Sequence, residues 1–229
     1  MAGCGGPGYP WTMSAAATTS DWVETAEQRL LDAALLLAPT LGWSAETVRL
    51  AARDAGLLEA DAELLLPNGP RDLAALLSRR HDRAAMQALV DVDPRSLKIR
   101  ERIRRAVLAR VDAVAADEAA ARRLLGFLAL PSNLPLAGRL LWESADLIWR
   151  WAGDVATDEN HYSKRAILTG VLGPAIALRL SSGPAAAEQY VFDRIDNVMA
   201  FEKWKAGLPK SDAGAQIAGL LGKLRYAAR

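Results

Sequence analysis

Two imidazoles and one thiol are all the His and Cys chemistry this chain has: His81, His161 and Cys4. Zinc takes four ligands, which that set reaches only with carboxylate help. A carboxylate-bridged di-iron bundle needs two Glu-x-x-His pairs, and the sequence has neither. There is no H-E-x-x-H, no G-x-S-x-G elbow and no P-loop. The expectation is therefore no metal and no cofactor. Asp158 and His161, three residues apart, form the one pair with acid–base potential. Without a second group beside them they read as a surface hydrogen bond, so no catalytic residue is assigned and the chain is expected not to be an enzyme. The alternative, a small-molecule enzyme built on Asp158 and His161, requires loss of turnover in a His161→Ala variant. A literal G-x-G-x-x-G at Gly3, Gly5 and Gly8 has no strand before it and carries no dinucleotide reading.

The remaining residues of interest cluster in 126–170, where Trp142, Trp149 and Trp151 fall within ten residues. Pro131 and Pro135 bracket a break, Asn133 can cap the following helix, and Pro135 is tolerated in its first turn. That helix should run to Ala152 and stop at Gly153-Asp154. Thr157 is placed to cap the next, with Asp158 and Glu159 set against its dipole. The two should pack antiparallel. Trp142, Asp146 and Trp149 share one stripe of the first helix, and Leu147, Ile148 and Trp151 an adjacent one. One stripe can face the core; the other calls for a ligand, a subunit or a partner. On the second helix Asp158, Tyr162 and Arg165 align, with His161 beside them, as an outward-facing set.

Composition frames these elements. Hydrophobic residues are 51% and charged residues 24% of the chain, so a globular core is expected. A formal charge of +1 gives no global attraction to nucleic acid or membrane. The thirteen uncharged residues from Ala166 to Leu178 fall short of the roughly 20 that span a bilayer. Residues 1–20 carry no charge and read as a disordered tail, without the features of a secretory or transit peptide. Met13 is an alternative start. A cytoplasmic, peripherally membrane-associated protein is expected.

Strand signals are absent, so the chain is expected to be all-α. Helices are predicted over 22–38, ending at Pro39; from cap Ser44 to Gly56, with Val48, Ala51, Ala52 and Ala55 inward; over 57–66; over about 71–90 and 95–128; then the central pair and 185–204. The basic stretch 98–110 reads as a solvated face around an Ile99, Ile103, Val107, Val111 stripe. The first three helices, residues 21–70, resemble the helix-turn-helix unit of TetR-type repressors. A ligand-responsive transcription regulator is therefore the alternative function. Against it, the would-be reading helix LLEADAELLL carries Glu59, Asp61 and Glu63 and no Lys or Arg. Phosphate repels such a face, so no nucleic-acid partner is expected. Residues 71–206 should form the helical ligand-binding and dimerisation domain. Residues 207–229 read as a linker and an amphipathic helix, in which Ile217, Leu220, Leu221 and Leu224 form the apolar stripe and Lys223 and Arg225 the basic rim. Gly214, Gly219 and Gly222 weaken that helix in isolation.

Over residues 128–168 the chain resembles the ubiquinone-biosynthesis accessory proteins of the Coq-nine family. Ala152-Gly153-Asp154, Thr157-Asp158, His161-Tyr162 and Arg165 carry the resemblance. It implies a TetR-like all-α homodimer that binds isoprenoid lipid, docks on membranes through its last helix and presents quinone precursors to the demethoxyubiquinone hydroxylase. It further implies a partner patch including Asp146, Ile148, His161, Tyr162 and Arg165, to which Trp151 and Asp158 are added here. Mitochondrial relatives carry tryptophan where this chain has His161, so one aromatic anchor is lost. Leu124, Phe127, Leu128, Leu140, Trp142, Trp149, Leu168, Leu172 and Ile176 are the expected lining of the lipid pocket.

Overall fold

Apolar residues at helical spacing and glycines at the turns produce nine α-helices among the described residues, and no strand. The computed structural model describes residues 15–154 and 159–206, with side chains described over 21–154 and 161–197. Thr157, Asp158, Cys4, the glycine motif of the tail, and all six terminal-helix candidates (Ile217, Leu220, Leu221, Leu224, Lys223 and Arg225) lie outside those residues. The chain divides into two units: residues 1–79 with 119–133, and residues 80–118 with 134–229.

In the first unit, α1 (Ala15–Leu41) packs on α2 (Ala45–Asp54), and α2 on the short α3 (Glu59–Leu65). Leu30, Ala34 and Ala38 are fully buried, as their spacing requires. Pro39 does not end α1 as expected. It sits inside the last turn, and Arg123 Nε donates to its carbonyl at 2.9 Å. The stop is Gly42, at φ +69°, a conformation that favours glycine. Ser44 caps α2 as its sequence indicates, accepting from the Thr47 N–H at 3.1 Å. Trp43 is buried and its indole N–H donates to Ala120 O at 3.1 Å, tying the turn to α6 (Glu118–Leu128). After α3, Asp72 accepts from Asn68 N–H at 2.6 Å, reaching back from the first turn of α4 (Pro70–Gln87).

The expected helix 95–128 is interrupted. After a 3₁₀ turn at Pro94–Ser96, α5 (Ile99–Asp112) gives way to a 3₁₀ stretch, Ala113–Asp117, before α6 begins. Ile103, Val107 and Val111 face inward, whereas Ile99 is exposed. The basic face is less solvated than its composition suggests. Arg110 is buried, its Nε donating to Asp82 of α4.

The second unit is built on α5, α7 (Leu134–Trp151), α8 (Glu159–Ser182) and α9 (Pro184–Ala206), with α8 packed between α7 and α9. The expected cap of α7 is replaced. Asn133 is buried, donating through Nδ2 to Phe127 O at 2.9 Å and accepting from Arg71 Nε at 3.0 Å within the first unit. Pro135 lies in the first turn of α7, where its missing N–H costs nothing. Gly153, at φ +89°, closes α7: its N–H reaches Arg150 O at 3.0 Å and Asp154 N–H reaches Trp149 O at 3.0 Å. Arg102 takes the free carbonyl of Ala152 at 2.8 Å. No single described helix is long and apolar enough to cross a membrane.

Candidate functional site

The end of α7 and the start of α8 hold a cluster of five charges. Arg165 is 1% exposed, which reverses its expected outward position. Its Nε donates to Asp146 Oδ1 at 2.6 Å, and its Nη1 to Asp154 Oδ2 at 3.1 Å and to His161 O at 3.1 Å. Arg150 holds the other Asp146 oxygen at 2.7 Å, and Lys164 the other Asp154 oxygen at 2.7 Å. Burial pushes the Asp154 carboxyl up, but hydrogen bonds from Lys164 and Arg165 outweigh it and hold the group below the usual aspartate value. A helix face that looks polar from spacing alone therefore turns inward once opposite charges sit on the neighbouring helix.

Lys164 links this cluster to an apolar cleft. Its ammonium lies 5.3 Å from the Trp149 ring centre, while the Trp149 indole N–H donates to Lys164 O at 3.2 Å. Around Trp149 the cleft is lined by Ile99, Ile103, Ile167, Leu168, Val171 and Ile195, with Arg100 and Lys164 as its cations. Its volume is about 60 Å³. Ligand pockets for whole small molecules run from roughly 300 to 1,000 Å³.

Of the nine expected lining residues, Trp149 and Leu168 meet at this cleft. Leu140, Leu172 and Ile176 are buried core residues of the second unit; Leu124, Phe127 and Leu128 belong to the first unit, Leu124 buried and the others half-buried. Trp142 instead stacks against Tyr162, centroids 6.3 Å apart, and His161 meets Tyr162 edge-on at 5.2 Å. The cleft residues that spacing missed are Ile99, Ile103, Ile167, Val171 and Ile195. For Ile103 the signal was the inward stripe of α5; for the rest, only tertiary packing brings them together.

Among the expected partner residues, Tyr162 is 64% exposed and Trp151, Asp146 and His161 are half-buried. Ile148 is 1% exposed and packs inward, so with Arg165 it is removed from the surface. A second polar cluster lies deeper in the same unit. Ser144 Oγ donates to Asp82 at 2.7 Å, beside Arg110, and His81 Nε2 lies 3.1 Å from Asp117. Burial, aided by the Arg110 cation, pushes the His81 pKa down to about 4 against the pull of Asp117. Ser144 and His81 are buried, so this is a core network. No described group of three or more His, Cys, Asp or Glu is placed to hold a metal ion.

These features define an all-α protein whose second unit joins a buried ion cluster, an exposed aromatic surface and a small apolar cleft. The family model described as COQ9 matches residues 134–202, the span of α7, α8 and most of α9. The chain is 29% identical over 208 residues to "Ubiquinone biosynthesis protein COQ9, mitochondrial" of Bos taurus, and 28% identical over 208 residues to the protein of that name of Homo sapiens. Each alignment covers 87% of the chain and 65% of the relative, so the chain spans just under two thirds of these relatives' length. Over α7, α8 and most of α9 the chain is thus similar to the COQ9 family.

Proposed function

We propose that the chain is a non-enzymatic isoprenoid-lipid-binding protein of ubiquinone biosynthesis, presenting quinone precursors to a demethoxyubiquinone hydroxylase at the membrane surface. The pathway is that named for its relatives of Bos taurus and Homo sapiens. The observation that carries the lipid assignment is the cleft itself: an apolar opening floored by Trp149 and Leu168, with exposed Ile99 and Ile167 and the cations Arg100 and Lys164. An isoprenoid tail gains about 0.8 kcal/mol for each buried CH₂, which favours even a partly sheltered chain over water. At about 60 Å³ the cleft admits only the first carbons of such a tail, so uptake requires side chains of α5, α8 or α9 to move apart.

On this reading the hydroxylase docks on the neighbouring surface of Trp142, His161 and Tyr162, where exposed aromatic area supplies the anchor. The buried ion cluster sets the position of that surface by tying the end of α7 to the first turns of α8. Residues 211–229 supply the membrane contact, and the functional assembly is a homodimer. Tyr162→Ala should weaken capture of purified hydroxylase by roughly tenfold or more. Deletion of 211–229 should abolish liposome binding. Hydroxylase capture unchanged by Tyr162→Ala excludes this docking surface.

A further inference from the structure

The first unit carries a larger depression than the cleft just described. A groove of about 720 Å³ runs between α2 and α3. Its α2 wall is Ala45, Val48, Arg49, Ala52 and Arg53, and its α3 wall is Glu59, Ala62, Glu63 and Leu66. Both sets follow helical spacing, so the walls are two continuous helix faces. Leu57 and Leu58 join them at the turn; Leu58 is 72% exposed, a large apolar side chain at the groove edge with nothing over it. Val48, expected in the core, is half-buried because it lines this groove.

Charge selects the occupant. Arg49 is paired with Glu46 at 2.6 Å and Arg53 with Asp54 at 3.5 Å, which neutralises the cations of the α2 wall. The α3 wall presents Glu59, which the Arg49 cation also reaches, and Glu63, and α3 has no Lys or Arg of its own. A phosphate backbone or an anionic bilayer meets repulsion here. We infer that the α2–α3 groove docks a basic amphipathic helix of a protein partner. Its apolar stripe lies along Val48, Leu58 and Ala62, and its Lys or Arg flanks lie against Glu59 and Glu63. The position that reads DNA bases in a repressor of similar arrangement is thus turned to a protein surface. The first unit thereby gains a binding role separate from the lipid and hydroxylase assignments.

The test uses the full chain and fluorescence anisotropy with two labelled helical peptides of about four turns, identical in their leucine stripe. One is flanked by lysine and the other by glutamate. The lysine peptide should bind at least about tenfold more tightly than the glutamate peptide, with affinity falling as salt is raised. The double variant Glu59→Gln/Glu63→Gln should erase that preference, and Leu58→Asp should weaken the lysine peptide by about tenfold or more. All three positions are exposed, and unchanged helicity by circular dichroism confirms folding. Equal binding of both peptides, wild-type affinity in the variants, or displacement of the peptide by duplex DNA would overturn the inference. Lipid carried by the protein should be the same in these variants and in wild type, so failure here is distinct from failure of the lipid assignment.

Discussion

Replacing Arg165 by methionine removes the guanidinium that two aspartates share while keeping most of the aliphatic volume. Three hydrogen bonds are lost, to Asp146, Asp154 and His161 O. Breaking a buried ion pair from one side costs about 3–5 kcal/mol. Here Asp146 keeps Arg150 and Asp154 keeps Lys164, so the cost should fall at the lower end, about 3 kcal/mol. Denaturant unfolding followed by the fluorescence of Trp142, Trp149 and Trp151 measures it. The pH dependence supplies a second check. The folded-state pKa of Asp154 lies below its ordinary value of 3.8. Its contribution is therefore full above that value and lost as pH falls through the folded pKa. The gap between wild type and Arg165→Met should be full at neutral pH and narrow in strong acid. A cost below about 1 kcal/mol, or a gap unchanged on acidification, would refute the assignment of Arg165 as the buried lock between α7 and α8.

Other positions give independent checks. Asp82→Ala removes the carboxylate that accepts from the buried Arg110 Nε and should cost about 3 kcal/mol by the same denaturant measurement. His81, neutral when folded with a pKa of about 4, makes stability rise with pH between about 4 and 6.5. His81→Gln should flatten that slope, whose full span is about 3 kcal/mol, and a slope identical to wild type would count against a buried neutral imidazole. Gly153→Ala forces a side chain into φ +89° and should cost about 1–2 kcal/mol, read as a lowered thermal midpoint.

What the sequence reveals here follows from local rules, and what it conceals depends on which helix lies opposite. The cap at Ser44, the stop at Gly153 and the burial of Leu30, Ala34, Ile103 and Val107 obey propensity and spacing. The extension of α1 past Pro39 depends on a nonlocal donor, Arg123, and the interruption of 95–128 has no proline or glycine to announce it. Arg165 shows the limit most clearly. Helical spacing grouped it with Tyr162 on a polar face, but the carboxylates that draw it inward lie nineteen and eleven residues away. Likewise Trp142 and Trp149 share a stripe on α7, yet one stacks on Tyr162 and the other lines the cleft. Of the lining residues chosen from three helices, only Trp149 and Leu168 border this cleft, because α5 and α9 complete the opening.

The decisive property is whether the cleft at Trp149 receives an isoprenoid chain. Mass spectrometry of organic extracts from the purified protein, compared with the Ile167→Asp variant at the exposed rim, measures this directly. Isoprenoid lipid should accompany the wild-type chain and fall by about tenfold or more in the variant at unchanged helicity. Wild-type protein free of isoprenoid, or equal amounts in both extracts, would contradict it.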